Sequence, residues 1–158
     1  MPALRIEPVD PQGEDALSLL CSAAIEARQL YPDLHAADAP WPTNPALPAR
    51  GAYVIAYADD TPVGCGALRP LDAHTAEVRR MYVLASARRT GVAREVLLHL
   101  EQRARELGYG RLRLETGNRQ LPAIALYESM GFVRIPPFGD YVDDPVSVCF
   151  EKSLKLRG

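Results

Sequence analysis

Two apolar rhythms run along the chain, one of period two and one near 3.6, and the changeovers between them mark out its elements. "LRIEPV" (residues 4–9) reads as a strand, closed off by Pro11 and Gly13. Ala16, Leu17, Leu20, Ala23, Ala24, Ala27 and Leu30 then recur at helical spacing, which predicts an amphipathic helix over 14–30. Residues 32–50, "PDLHAADAPWPTNPALPAR", hold five prolines and the sole Trp, a composition that forbids regular structure and predicts a long loop. "AYVIAYA" and "PVGCGALRPL" are two strands about the turn "DDTP", and "AEVRRMYVL" is a third. Val92, Val96, Leu97, Leu100, Ala104 and Leu107 line one face of a second helix, stopped by Gly108. After it come a strand, "RLRLET", a short helix in "PAIALYESMGF" that starts with Pro122 and ends at Gly131, and a closing strand, "SVCFEKSL". The order strand, helix, three strands, helix, strand, helix, strand predicts an α+β fold in a single domain spanning 1–158, with no repeat or linker.

Composition narrows the partners. With 47% hydrophobic and 24% charged residues and a formal net charge of −2, the chain reads as an ordinary globule and not as a binder of polyanions, so nucleic acid is not an expected partner. No window approaches the length of a membrane span, and "MPALRIEPVD" has no apolar leader, so a cytoplasmic location and no membrane partner are expected. Cys21, Cys65 and Cys149 are odd in number and far apart, which suits buried thiols better than a disulfide framework or a zinc motif. His35, His74 and His99 lack ligand spacing, so no metal is expected.

One stretch departs from ordinary patterning. In "ARRTGVA" two arginines and a bare glycine precede a helix, whose first N–H groups are unpaired and carry partial positive charge. Gly91 removes a Cβ that would block close approach, Ala93 is nearly as small, and Arg88 and Arg89 add charge on the entering loop. Physical reasoning alone leaves two readings, a phosphate site or a plain strand-loop-helix turn with surface arginines. A Walker loop is excluded because the only lysines are Lys152 and Lys155, and a dinucleotide fingerprint is unsupported because Gly91 stands alone.

Arg88-Arg89-Thr90-Gly91-Val92-Ala93 matches the acetyl-coenzyme A signature Arg/Gln-x-x-Gly-x-Gly/Ala. It follows "RMYVLASA", opens a helix ending "ELGY", and precedes "LETG" and "AIALYESMGF". On these motifs most of residues 52–151 resembles the GCN5-related N-acetyltransferase (GNAT) family. The resemblance implies a mixed, mostly antiparallel sheet flanked by helices, with a splay between the fourth and fifth strands. It also implies acetyl-coenzyme A as cofactor and direct acetyl transfer to a primary amine. Residues 88–93 would hold the pyrophosphate, and the backbone of Met81, Tyr82 and Val83 the pantetheine arm, with the Val83 N–H as oxyanion donor. Where many relatives have Gly, this chain has Arg89. Where they often have Asn, it has Gln120, with Asn118 two residues earlier, so either of these could meet the cofactor.

The same resemblance puts Tyr127 where the family carries a general acid for the departing thiolate, although its spacing with Ile124 and Met130 also suits plain packing. Glu77 matches the glutamate base of histone-type relatives; Glu115 is the competing carboxylate, and either could instead pair with a nearby arginine. Strict alternation would put Glu77, Arg79, Met81 and Val83 on one face and Val78, Arg80 and Tyr82 on the other. The acceptor is expected between two aromatic and acidic loops. One holds Tyr31, Asp33, His35, Asp38 and Trp41; the other holds Phe138, Asp140, Tyr141, Asp143 and Asp144. Such walls suit a cationic small-molecule amine. Protein lysine or N-terminal acetylation is the alternative within the same chemistry, and a non-catalytic acyl-coenzyme A sensor is the alternative outside it. Dimers are common among similar proteins, so a homodimer is a further expectation.

Overall fold

The computed structural model describes residues 3–36 and 38–155. Met1, Pro2, Ala37 and residues 156–158, which the single-domain and long-loop readings include, lie outside the described residues. Seven strands form one sheet: β1 (Leu4–Pro8), β2 (Ala52–Ala58), β3 (Thr61–Pro70), β4 (Thr75–Val83), β5 (Arg111–Gly117), β6 (Val133–Ile135) and β7 (Ser147–Ser153). Their order across the sheet is β1-β2-β3-β4-β5-β7-β6, and only β4 and β5 run parallel. Three α-helices connect them: α1 (Glu14–Leu30), α2 (Val92–Glu106) and α3 (Leu121–Ser129). The expected mixed, mostly antiparallel α+β architecture is therefore present. Six strands were expected, and the seventh is β6, three residues cut short by Pro136 and Pro137, which cannot donate to a ladder.

The sheet has two differently furnished faces. Against α2 and α3 lies an apolar core in which Val96, Leu97, Leu100, Ala104, Tyr109 and Leu112 are all fully buried. Gly64 and Gly66 make this approach possible, since a Cβ on Gly66 would come within 2.8 Å of both Val96 Cγ1 and Leu100 Cδ1. Against α1 lies a smaller cluster of Ala16, Leu19, Tyr53, Ile55, Tyr57, Cys65 and Ala67. Here α1 turns Leu19 inward, whereas Leu17 and Leu30, expected on its buried stripe, are exposed. No helix among the described residues is long and apolar enough to cross a membrane.

Two irregularities in β4 position the site. The first is a bulge: Ala67 faces Arg79 and Cys65 faces Tyr82, so β4 has one residue more than β3 over this span, and Arg80 takes up the difference at φ 59°. The bulge overturns strict alternation. Ala76, Val78, Met81 and Val83 share the α2 face, while Glu77, Arg79, Arg80 and Tyr82 share the α1 face. Glu77 and Arg79 thus part company with Met81 and Val83. The second irregularity is the splay. Parallel pairing of β4 with β5 runs from Thr75–Arg111 to Val78–Leu114 and stops, although β4 continues along β3 to Val83 and β5 along β7 to Gly117.

Candidate active site

The N-terminus of α2 is built as an anion cradle. Gly91 caps it at φ 84°, a left-handed conformation that favours glycine, and the space around its missing Cβ is open. No side chain caps the helix, and Thr90 turns its hydroxyl back to Ala87 O (2.5 Å). The backbone N–H groups of Val92, Ala93 and Arg94 therefore have no intrachain partner among the described residues, and that fits a phosphate group. Arg89, at φ 66°, and Arg94 make no ion pair among the described residues. Arg88 is committed elsewhere: its Nε donates to Val83 O (3.0 Å) and its terminal nitrogen pairs with Glu26 (2.6 Å). Glu26 also accepts the Tyr82 hydroxyl, so α1 is tied to the end of β4.

The splay leaves backbone groups exposed to a ligand. Leu84 donates its N–H to Val63 O (2.9 Å), so the N–H and C=O of Val83 point the other way, into the gap beside β5. There the C=O receives Arg88 and the N–H has no backbone partner. Unpaired strand donors are costly when buried, so the gap suits a ligand with acceptors. The side chains of Met81 and Val83 meanwhile pack on the α2 core.

A phenol and a carboxylate stand near the gap, and a second carboxylate lies back in the paired part of β4. Tyr127 is 5% exposed, its ring edge-on to Phe132 (5.9 Å) and tilted against Phe150 (6.1 Å), and its hydroxyl makes no hydrogen bond among the described residues. Burial, and after it the charge of Glu115, holds its pKa above that of an ordinary phenol, so it keeps its proton at neutral pH. Glu115 sits one residue beyond the last β4–β5 pair, with one oxygen accepting Ser147 Oγ (2.5 Å). Burial raises its pKa; the nearby charges of Asp144 and Glu77 push the same way, against Ser147 and Arg79. Glu77 lies within the paired part of β4, is 1% exposed, and has both oxygens occupied, by Arg69 Nε (2.6 Å) and the Tyr141 hydroxyl (2.7 Å).

Of the acceptor residues expected from sequence, the structure gathers one set and ties down the other. Phe138 and Tyr141 stack edge-on (5.4 Å), and Tyr141 reaches Glu77 on the α1 face, where Glu115 also lies. Tyr31 is instead buried, its hydroxyl accepting the Arg119 backbone N–H (2.9 Å) in space left by Gly117. His35 Nδ1 lies 3.0 Å from Tyr31 O, and Trp41 is covered by the Arg28 guanidinium at 3.7 Å. Asp33 is held by Arg119 through two contacts (2.6 and 2.9 Å), which pull its pKa down to about 2. Asn118 is exposed, whereas Gln120 is half-buried and opens α3. Sequence reasoning missed Arg69, Arg79, Arg80 and Asn44 as neighbours on the α1 face, because only the bulge brings the two consecutive arginines to one side.

Comparison with known proteins agrees with the fold. The family model for the acetyltransferase (GNAT) family matches residues 17–132. YsnE of Bacillus subtilis, described as an uncharacterized N-acetyltransferase, is 46% identical over 101 residues, which make up 63% of this chain and 67% of that protein. The crystal structure of a candidate acyl-CoA N-acyltransferase from Klebsiella pneumoniae is 31% identical, with a TM-score of 0.79 over 96% of this chain and 98% of its own. A GNAT acetyltransferase from Elizabethkingia anophelis with acetyl-CoA bound shares the fold at 18% identity, with a TM-score of 0.68 over 96% and 98%.

Proposed function

The chain belongs to the acetyltransferase (GNAT) family, and on that premise we propose that it moves an acetyl group from acetyl-coenzyme A to the primary amine of a small molecule. The observation that carries this reading is the splay, which leaves the Val83 N–H without a backbone partner and puts Glu115 one residue past the last β4–β5 pair, with the Tyr127 phenol close enough to feel the charge of Glu115. Acetyl-coenzyme A, which the Elizabethkingia structure holds, would supply a thioester acyl group and a thiol leaving group. Residues 89–94 would hold its pyrophosphate, Arg88 would stand at the lip pinned by Glu26, and the backbone of Met81, Tyr82 and Val83 would receive the pantetheine arm. Gln120, half-buried at the start of α3, is the better placed of the two amide side chains for the same arm.

Each remaining group has a proton to hold or move. The Val83 N–H donates to the carbonyl oxygen, where negative charge builds in the transition state. Tyr127 keeps a proton on its hydroxyl for the departing sulfur. Glu115 Oε1, unlike its partner oxygen, accepts no hydrogen bond among the described residues, and it takes the proton of the incoming ammonium. Glu77, with both oxygens in use, is a positioning residue that fixes Arg69 and Tyr141 and helps raise the pKa of Glu115. The core of the reading spans about 52–151 within one domain of 1–158.

Following coenzyme A thiol release with a thiol reagent across a panel of amines tests the activity. Turnover on an amine is expected. Saturable coenzyme A binding with no turnover on any amine or peptide would instead indicate a sensor module.

A further inference from the structure

We propose that the acceptor carries a carboxylate beside its amine, as an apolar free amino acid does, and that Arg79 and Arg80 receive it. This deepens the acetyltransferase reading and rests on it. Two adjoining cavities on the α1 side of the sheet share Tyr53 and Arg80. One, of about 190 Å³, is walled by Leu47, Tyr53, Leu68 and prolines of the long loop, with Arg69, Arg79 and Arg80 at its charged side. The other, of about 210 Å³, reaches Met81 and Tyr82 on the splayed strand. Arg80 thus stands between an apolar chamber and the place where the acyl group is transferred.

The charge in this place is unbalanced. Three guanidinium groups face it and two carboxylates answer them: Glu77, fully buried and already bound by Arg69, and Glu115, which makes no ion pair among the described residues. Arg80 donates only to neutral acceptors, Asn44 Oδ1 (3.0 Å) and Thr43 O (3.1 Å). Arg79 makes neither a hydrogen bond nor an ion pair among the described residues. Burial, with Arg79 and Arg69 adding to it, presses the pKa of Arg80 below its ordinary value. Half-buried like charges with no ion pair of their own are unfavourable, and the backbone at Arg80 is itself held at positive φ, a further cost for a residue with a side chain. Strain that turns a second arginine onto the same face is explained if an anion is bound there.

Cation-binding surfaces, in contrast, are already taken. The rings of Trp41, Tyr31, Phe138 and Tyr82 each lie against one of the chain's own arginines, at 3.7, 4.7, 5.5 and 5.8 Å. Arg79 and Glu115 each follow the last β4–β5 pair, Val78–Leu114, so the free guanidinium of one and the free carboxylate oxygen of the other stand on adjacent strands at the mouth of the splay, and together they complement a zwitterion. Apolar walls then select its body.

The test compares L-leucine, L-methionine and L-phenylalanine with their primary amides, their decarboxylated amines and O-phosphoethanolamine, using thiol release. The amino acids should lead their amides by about tenfold or more in kcat/KM. Arg79→Gln, which breaks no hydrogen bond or ion pair among the described residues, should raise KM for the amino acid by about tenfold while KM for acetyl-coenzyme A holds steady; on the amides it should only move the acidic limb of the pH profile to higher pH, because Arg79 no longer lowers the Glu115 pKa, so the two are compared above that limb. Arg80→Gln should do the same, but it also loses the Asn44 bond, so Arg79→Gln decides. Amides or decarboxylated amines used as well as the amino acids, or an unaltered KM in Arg79→Gln, would overturn the carboxylate. O-phosphoethanolamine used best would replace it with a phosphate. No coenzyme A binding by calorimetry, or no turnover on any of these amines, would bring down the acetyltransferase reading and this inference with it.

Discussion

The two faces of the sheet meet the splay with opposite chemistry. On the α2 side the approach is apolar, close and permitted by glycines; beside the splay its polar groups are backbone N–H groups and the Tyr127 hydroxyl, and the buried Glu101–Lys152 pair lies further along α2. On the α1 side two carboxylates, three arginines and a tyrosine crowd the same few strand positions. A single strand serves both because the bulge at Arg80 shifts its phase: β4 gives Ala76, Val78, Met81 and Val83 to one side and Glu77, Arg79, Arg80 and Tyr82 to the other. One side can bind through backbone and shape while the other sorts acceptors by charge.

The division can be broken at its charged side first. Glu115→Gln should lower kcat/KM by about 10²–10⁴ and abolish the acidic limb of its pH profile, as loss of a general base does. Glu77→Gln should keep that limb but move it to lower pH, since the Glu77 charge helps raise the Glu115 pKa; an unmoved limb would remove Glu77 from its positioning role. On the apolar side, Tyr127→Phe should cost about 10² in kcat with little change in melting temperature, because the hydroxyl has no partner among the described residues. Unchanged turnover in that variant would leave Tyr127 as packing alone.

Part of this division is legible in the order of residues, and the rest is hidden there for physical reasons. The α1 and α2 bounds, the β2–β3 turn and the stop at Gly108 follow from local periodicity and glycine, and the structure reproduces them. Gly91 caps α2, Val83 ends β4 and Tyr127 lies in α3, within the elements that local pattern predicts. The bulge leaves no trace in the sequence because an arginine, not a glycine, adopts the positive φ, and a one-residue offset shows only against the partner strand. The fates of Tyr31, Trp41 and Asp33 depend on Arg119 and Arg28, contacts between distant or irregular segments that residue type does not announce. The pairing of Arg88 with Glu26, 62 positions away, is hidden for the same reason.

Smaller effects sharpen the contrast. Gly66→Ala would drive a methyl into Val96, Leu100 and Met81, so it should destabilise by about 1–3 kcal/mol by denaturant unfolding. Gly91→Ala meets no steric obstacle within the chain and pays for its positive φ, so it should destabilise by about 1–2 kcal/mol by denaturant unfolding, and its methyl, which would face the phosphate, should lower coenzyme A affinity by calorimetry with acceptor KM unchanged. On the charged side, the Glu115 pKa is raised in the folded chain, so the stability it contributes is present when it is protonated and is lost as pH climbs through that raised value. Glu115→Gln should therefore melt higher than the parent at neutral pH, by about 1–3 °C, and the gap should close in acid below the ordinary glutamate range.

The splay also has a temporal side. Strands β1 to β4 are consecutive in the chain and pair in that order, so this leaf is complete once residue 83 has been made. Strands β5, β6 and β7 form a second leaf from the last third, joined to the first by four residue pairs and the α2 crossover. A chain emerging from the ribosome can settle the leaf bearing Arg79 and Arg80 before Glu115 or Tyr127 exists, and docking of the late leaf then completes the proposed reaction centre. The seam between β4 and β5 is thus also the last joint to close in synthesis.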